Sequence, residues 1–277
     1  MINAGIHTPD GIILDLEDSV APDKKEEARL LVRNALRNID FFGAERMVRI
    51  NQLPSGFLDL DCIIPQDPDL ILVPKAEDPE QIRSVEIRIR EISGENEKEI
   101  FLMPIIESAL GIERAFEIAG SSPSIVAMAI GLEDYTADLG VSRTQKGWES
   151  EYARSRLVNA CKAAGIQAID SVYSDLENEI GLKETVMKSR ALGFEGMGCI
   201  HPRQIVVIRE AFQPSQEEIF RAGRIVRAYE KAEKEGLGVV SLDLKMIDPP
   251  VVKRALQTIE LALKLKMIHH NWRESDE

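Results

Sequence analysis

Cysteine is scarce in this sequence. Its 277 residues include three cysteines, Cys62, Cys161 and Cys199, and long intervals separate them. These intervals exclude a zinc site of the CxxC type, and the odd number argues against a disulfide framework. We therefore expect a protein of the reducing cytoplasm.

Positive charge and long apolar runs are also in short supply. The 34 Lys and Arg residues stand against 47 Asp and Glu, which gives a formal net charge of −13 that repels nucleic-acid backbones and anionic membrane surfaces. No apolar run approaches the ~20 residues that span a bilayer, and no secretory leader pattern is present. We expect a soluble protein with no nucleic-acid or membrane partner.

Short apolar runs recur along the chain, and each ends in a polar residue. The runs are GIILDLED, ERMVRIN, LILVPK, IFLMPIIES, IVAMAIGLED, IQAIDS and FEGMGCIHP. The polar residues that mark their ends are Asp18, Arg49, Lys75, Glu107, Asp134, Asp170 and His201. Successive markers are 31, 26, 32, 27, 36 and 31 residues apart, which suits repeated strand and helix units with parallel strands. Because no GxGxxG follows the first run, a barrel is favoured over a dinucleotide-binding sheet.

The barrel interpretation requires one strand more than the sequence provides. A TIM-type (β/α)8 barrel closes with eight strands, whereas this sequence has seven runs. We therefore predict an α/β barrel that lacks its first βα unit. Apolar residues at helical spacing predict helices between the runs. These cover residues 22–38, 79–92, 150–164 and 182–192.

The pattern changes after Pro214. We expect a barrel domain at residues 1–214 and a helical lid or oligomerisation segment at residues 215–277. Ser215 and Glu218 form a possible capping box for a helix to about Lys234, which Gly236 and Gly238 would end.

A second helix of this segment is predicted from Pro249 onward, after the short run VVSLDLKMI. It carries an apolar stripe of Val252, Ala255, Leu256, Ile259 and Leu263. Such a stripe needs a partner surface, so we expect a symmetric assembly of copies of the chain.

The carboxyl ends of barrel strands converge on one face, so the polar ends of the runs should line one pocket. Its predicted members are Glu17, Asp18, Arg49, Lys75, Glu107, Asp134, Asp170 and His201. Facing carboxylates raise each other's pKa or recruit a cation, and two carboxylates with waters and substrate oxygens commonly hold Mg²⁺. Arg49 could donate a forked pair of hydrogen bonds to an oxygen of the substrate. Taken singly, Glu107 and Asp134 could instead be acids that begin helices.

Seven segments together resemble one family. LDLEDSVAP, VRIN, VPK, PIIESALG, GLEDYTADLG, GFEGMGCIHPRQI and GLGVVSLDLKMIDPPVV occur in this order along almost the whole chain. They are similar to the citrate lyase beta subunit and malyl-CoA lyase family, and look closest to the beta subunit, a citryl-ACP lyase. The family's usual first strand, an RSLLFVPG-like segment, is not present in this sequence, which agrees with the missing first unit.

The resemblance implies a set of site residues. Glu107 and Asp134 would bind Mg²⁺, and Arg49 would contact the substrate and stabilise the enolate oxygen. The backbone at Gly131 and Leu132 would face a substrate carboxylate.

Three further acids receive roles from the same resemblance. Glu17 and Asp18 match the family's LED signature beside the metal. Asp248 would cap the pocket of a neighbouring subunit and transfer a proton there. An Asp before two prolines is also typical of a helix start.

The implied reaction is the retro-Claisen cleavage of a citryl thioester, carried on an acyl carrier protein or CoA, to oxaloacetate and an acetyl thioester. A homotrimer or hexamer is implied, with citrate lyase alpha and acyl carrier subunits as partners. Two alternatives stay open. One is a malyl-CoA or citramalyl-CoA lyase, or a thioesterase, with the same Mg²⁺ pocket; the other is a non-catalytic assembly subunit.

Overall fold

The computed structural model describes residues 3–94, 98–236, 239–243 and 245–273. The chain forms two compact units, Met1–Ile208 and Arg209–Glu277. The boundary between them falls inside a helix, Pro202–Phe212, whereas the sequence pattern predicts a boundary just beyond its end. Among the described residues, none of the helices combines the length and the apolar character needed to cross a membrane.

The first unit is built on a parallel sheet whose strand order is the order of the sequence. Its strands are β1 (Gly11–Asp15), β2 (Glu45–Arg49), β3 (Leu70–Val73), β4 (Phe101–Ile106), β5 (Ala127–Ile130), β6 (Gln167–Asp170) and β7 (Gly196–Met197). Each strand pairs in parallel with the next. The described residues thus give seven strands in barrel order, with β1 and β7 at the edges. The predicted α/β barrel architecture with one unit short is confirmed.

Helices connect successive strands. They are α1 (Lys25–Asn38), α2 (Gly56–Ile63), α3 (Pro79–Ser93), α4 (Ala109–Glu113), α5 (Ala115–Ala119), α6 (Leu132–Asp138), α7 (Trp148–Ala164), α8 (Glu179–Leu192) and α9 (Pro202–Phe212). The four helices expected in this unit are present, although Pro22–Lys24 forms a 3-10 turn before α1. Helix α3 begins at Pro79 because the sequence carries a start signal there. Asp78 and Gln81 form a capping box around this first-turn proline.

Side chains on the strands alternate between the two faces of the sheet. On one face, apolar side chains of β2 to β6 pack together. This inner cluster contains Leu70, Leu72, Met103, Ile105, Ala127, Met47, Phe101, Val126, Ala129 and Ile169. The intervening residues, such as Ile71, Leu102 and Met128, are fully buried on the opposite face. Burial on both faces explains the continuous apolar runs of the sequence.

After the end of α9, the described residues of the second unit form two helices and two paired strands. Helix α10 (Gln216–Lys234) begins with the predicted capping box of Ser215 and Glu218. The antiparallel strands β8 (Val240–Leu242) and β9 (Lys245–Ile247) follow, and α11 (Pro249–Lys264) closes the unit. The predicted role of Gly238 in ending α10 lies outside the described residues.

The apolar stripe of α11 has its partner inside this unit. Val252, Ala255 and Ile259 are buried against α10, in a cluster that includes Ile219 and Val226. The expectation that the stripe lacks a partner surface is therefore wrong, because the two helices cover each other's apolar faces. Assembly of copies of the chain has to rest on other grounds.

Candidate active site

The alternation of side chains decides which polar residues enter the pocket. At five strand ends, a polar or small residue lies on the same face of the sheet as the inner cluster. It is either the last residue of the strand or the residue that follows it. These residues are Asp15 (β1), Arg49 (β2), Glu107 (β4), Gly131 (β5) and Ser171 (β6). Parallel strands bring their carboxyl ends to the same edge, so these positions surround one mouth.

Asp15 and Arg49 form the best-defined ion pair of this edge. They are direct register partners between β1 and β2. Nε and Nη2 of Arg49 donate to the two Asp15 oxygens at 2.7 and 2.6 Å. Asp15 also accepts the backbone N–H groups of Glu17 and Ser19. Although burial raises its pKa, the hydrogen bonds from Arg49, Ser19 and Glu17 lower the pKa of Asp15 to about 2.

Asp15 is not among the residues predicted to line the pocket. Its signal was the two-residue spacing of Asp15 and Glu17 in LDLED, which puts both carboxylates on the same face of an extended chain.

Glu17 is buried beside this pair, with only 3% of its surface exposed. One oxygen lies 3.1 Å from Nη1 of Arg49, and the other lies 3.8 Å from Nζ of Lys75. Gln52 and the backbone N–H of Asp18 donate to the same carboxylate. Burial raises the pKa of Glu17, while these donors and Arg49 lower it, and the result lies above the usual value. The Asp18 side chain is exposed.

Glu107 is the central buried acid, 5% exposed at the end of β4. Its Oε1 accepts the backbone N–H of Lys75 at 2.7 Å. Lys75 has a φ of 47°, a left-handed conformation that costs a non-glycine residue about 1–3 kcal/mol. This strained backbone belongs to the residue whose amide binds Glu107. The pKa of Glu107 is raised to about 7. Burial is the largest cause; the hydrogen bond from the Lys75 amide lowers the pKa, and the charges of Asp134 and Glu17 raise it.

Gly131 makes room for the Glu107 carboxylate. Ile106 and Ile130 are register partners, so the residues that follow them are neighbours. A Cβ atom added to Gly131 would lie 2.4 Å from Oε2 of Glu107 and 2.8 Å from its Cβ. Only a residue without a side chain fits beside the acid.

Asp134 lies in the first turn of α6, which begins directly after Gly131. The two charges interact, since Asp134 raises the pKa of Glu107. The start of this helix is tied to the sheet at two backbone groups. Gly131 N–H donates to the Ile106 carbonyl, and Leu132 N–H donates to the Ser171 hydroxyl at 3.2 Å. A substrate carboxylate at Leu132 would therefore have to replace Ser171 as the acceptor.

Asp170 does not belong to this pocket, contrary to the prediction. It follows Ile169 of the inner cluster, so its side chain points to the opposite face of the sheet. There the carboxylate binds the Arg154 guanidinium from α7 and accepts the Ser189 hydroxyl from α8 at 2.6 Å. His201, another predicted member, accepts the Arg203 N–H through Nδ1 at the start of α9.

Asp248 lies in the second unit and begins α11. Its Oδ1 accepts the N–H of Val251 at 3.2 Å, which confirms the helix-start interpretation of Asp-Pro-Pro. This cap does not test its predicted role as a proton-transfer group.

The donor set fits Mg²⁺. Glu107 and Asp134 offer hard carboxylate oxygens, and the raised pKa of Glu107 reports buried negative charge that a cation would compensate. No group of three or more His, Cys, Asp or Glu side chains is placed to hold a metal among residues 3–94, 98–236, 239–243 and 245–273. An ion at these two acids would therefore take its other ligands from water and substrate.

Known proteins are similar to this chain in sequence and fold. Citrate lyase subunit beta of Haemophilus influenzae is 40% identical over 265 residues, 94% of this chain and 91% of that protein. Human mitochondrial citramalyl-CoA lyase is 34% identical over 93% of this chain and 80% of its own length. A Mycobacterium tuberculosis protein, CitE, crystallised with magnesium, acetoacetate and coenzyme A, is 31% identical, with a TM-score of 0.75 over 91% of this chain and 90% of that one.

Residues 1–202 match the sequence pattern of one described family, and this range contains every strand of the first unit together with Asp15, Glu17, Arg49, Glu107 and Asp134. The chain belongs to the HpcH/HpaI aldolase/citrate lyase family.

Proposed function

We propose that this protein is a Mg²⁺-dependent carbon–carbon lyase that cleaves a citryl thioester to oxaloacetate and an acetyl thioester, as a citrate lyase beta subunit. The observation that carries the proposal is the seat of Glu107. A buried carboxylate with a pKa of about 7 lies against Gly131 and accepts the Lys75 amide, and the charge of Asp134 helps to raise its pKa. The identity of 40% to citrate lyase subunit beta over most of both chains supports the choice of substrate.

Glu107 and Asp134 are the proposed metal ligands. Mg²⁺ held there would supply a Lewis acid toward the hydroxyl and carboxylate oxygens of the citryl group. The burial of Glu107 makes its charge costly, and a cation bound there would offset this cost. Glu17 lies close enough to raise the pKa of Glu107 and is proposed to orient this end of the pocket, with Asp18 beside it.

Arg49 is proposed to bind the thioester carbonyl. The cleavage moves an electron pair from the breaking C–C bond onto the thioester enolate, so negative charge grows on that oxygen. A guanidinium carries five N–H groups, and two of them donate to Asp15. An outer N–H can donate to the enolate oxygen while Asp15 holds the group in place. The backbone at Gly131 and Leu132 is proposed to face a substrate carboxylate, with the Leu132 amide exchanging Ser171 for substrate.

Two proton transfers complete the reaction. A base takes the proton of the tertiary hydroxyl as the C–C bond breaks, and an acid protonates the enolate carbon to give the acetyl group. We assign one of these transfers to Asp248 of a neighbouring copy of the chain. Its carboxylate uses one oxygen to cap α11, and the second oxygen is the proposed proton carrier.

The proposal extends to surroundings and partners. We propose a cytoplasmic homotrimer or hexamer that works with citrate lyase alpha and acyl carrier subunits, on citryl-ACP or citryl-CoA. Three free cysteines support a reducing compartment.

A second candidate keeps the pocket and changes the substrate. The 34% identity to human citramalyl-CoA lyase favours a citramalyl-CoA or malyl-CoA lyase, and a thioesterase with the same pocket is the other form of this candidate. Purified protein is incubated with Mg²⁺ and, separately, citryl, citramalyl and malyl thioesters, and oxaloacetate, pyruvate, glyoxylate and free thiol are measured. Oxaloacetate from citryl thioester supports the first proposal; pyruvate or glyoxylate alone supports the second.

The same assay includes Glu107→Ala and Asp134→Ala proteins as controls. Loss of product in both variants links the activity to the pocket. If no thioester is cleaved at any Mg²⁺ concentration, the chain is a non-catalytic assembly subunit and both catalytic proposals are wrong.

A further inference from the structure

Arg49 at the pocket mouth is held by both carboxylate oxygens of Asp15. Both oxygens of Asp15 bind Arg49, at 2.7 and 2.6 Å, in the parallel forked geometry that fixes a guanidinium in direction as well as position. The same oxygens accept the N–H groups of Glu17 and Ser19, at 3.0 and 3.3 Å. Four donors therefore lock the Asp15 carboxylate itself.

We propose that Asp15 is a positioning residue that fixes the Arg49 guanidinium so that its outer N–H groups face the substrate. This inference rests on the proposed function of Arg49 and deepens it. The register supports it, since Asp15 and Arg49 are Cα partners on adjacent strands and need no long side-chain reach to meet. Asp15 itself touches no reacting atom; it acts through Arg49.

Glu17 cannot replace Asp15 in fixing the orientation of the Arg49 guanidinium. It meets Arg49 through one contact, at 3.1 Å from Nη1, and the same carboxylate also lies near Lys75 and accepts from Gln52. A single contact leaves the guanidinium free to turn about it. Without Asp15, the Arg49 guanidinium would therefore be free to rotate, even though Glu17 would still neutralise its charge.

The test compares Asp15→Asn with a matched control, Asp69→Asn, whose partner Arg46 lies at the opposite end of β2 from Arg49. Asp69 binds Arg46 of β2 by an ion pair of 3.3 Å and accepts its backbone N–H, outside the pocket. Asp69→Asn removes a similar charge from a similar partner. Asp15→Glu is the second variant, since it keeps the charge and lengthens the side chain by one methylene.

Two readouts separate positioning from a general effect on folding. The first is the order of the Arg49 Nε–H group by ¹⁵N NMR relaxation, with the signal assigned by its loss in Arg49→Lys. We expect this group to be rigid in the parent protein and in Asp69→Asn, and mobile in Asp15→Asn. The second is kcat for citryl thioester cleavage, which should fall about 100-fold in Asp15→Asn, as for a catalytic group displaced by 1 Å, with KM changed much less. Asp15→Glu should lie between.

A rigid Arg49 Nε–H in both Asp15→Asn and Asp15→Glu, or a kcat of the parent value in both, would overturn the inference. The NMR arm needs no substrate. If the parent protein cleaves no citryl thioester, the proposed function fails, and the mobility of Arg49 still decides whether Asp15 positions it.

Discussion

The Glu107 carboxylate occupies the space that a side chain on Gly131 would fill, with Oε2 2.4 Å from the position of the missing Cβ atom. The pairing of β4 and β5 creates this contact, because it sets the residues after Ile106 and Ile130 side by side. Gly131, which follows β5, thus leaves the space that the Glu107 carboxylate after β4 occupies.

Gly131→Ala should displace Glu107 and weaken Mg²⁺ binding. We expect the dissociation constant for Mg²⁺ to rise by about tenfold or more, since disturbing the residues around a metal ligand commonly costs 10–100-fold in affinity. Isothermal titration calorimetry measures it. Gly120→Ala is the control, because the nearest atom to its added Cβ is 3.7 Å away. Parent affinity in Gly131→Ala would contradict the assigned seat.

Mg²⁺ binding should depend on pH near neutrality. The pKa of Glu107 in the metal-free protein is about 7, so below this pH a proton occupies the carboxylate and competes with the cation. Affinity should fall by up to about tenfold per pH unit below 7 and level off above it. Titrations between pH 5.5 and 8 test this. An affinity that stays constant over the range would show that Glu107 is not titrating in the site.

The buried pair of Arg154 and Asp170 should matter for stability. Both side chains are at most 10% exposed, and the Arg154 guanidinium also lies over the ring of Phe194. Arg154→Met leaves the Asp170 charge buried without its partner, so we expect the free energy of unfolding to fall by about 3–5 kcal/mol. Urea denaturation measures the change. A loss below about 1 kcal/mol would mean that the pair contributes as little as a surface salt bridge.

The packing of α11 on α10 gives a prediction for the second unit. Ile259 is 2% exposed in their shared cluster, so Ile259→Ala should cost about 2–5 kcal/mol of unfolding free energy. Leu261 on the same helix is 39% exposed, and Leu261→Ala should change it by less than about 0.5 kcal/mol. Chemical denaturation of both variants distinguishes them. Equal effects would contradict the packing of Ile259 against α10, because the buried and the exposed side chain would then contribute alike.

Much of the fold followed from periodicity. The runs that are apolar on both faces became strands of a parallel sheet, and the capping box of Ser215 and Glu218 marked a helix start correctly. These features are local, so the sequence carries them directly.

The site was harder to predict, because strand ends locate a residue along the barrel and do not say which face it occupies. Asp170 and Ser171 are adjacent at the end of β6, yet Asp170 binds Arg154 on one face while Ser171 meets the Leu132 amide on the other. Alternation counted from Ile169 would have distinguished them. The Asp15–Arg49 pair needed the register of β1 and β2, which only the assembled sheet provides.

Asp138 offers a further control for the metal site. It lies exposed on α6, the helix that carries Asp134, and its carboxylate accepts the N–H of Ala109 at the start of α4 at 2.8 Å. Its removal takes away an acid of the same helix without touching the proposed ligands.

The most direct test of the account is Mg²⁺ titration calorimetry of the parent protein, Glu107→Ala, Asp134→Ala and Asp138→Ala at pH 8. We predict that each of the first two variants weakens Mg²⁺ binding by well over about tenfold, while Asp138→Ala binds like the parent protein. Unchanged affinity in both Glu107→Ala and Asp134→Ala would contradict the account, since the cation would then lie elsewhere.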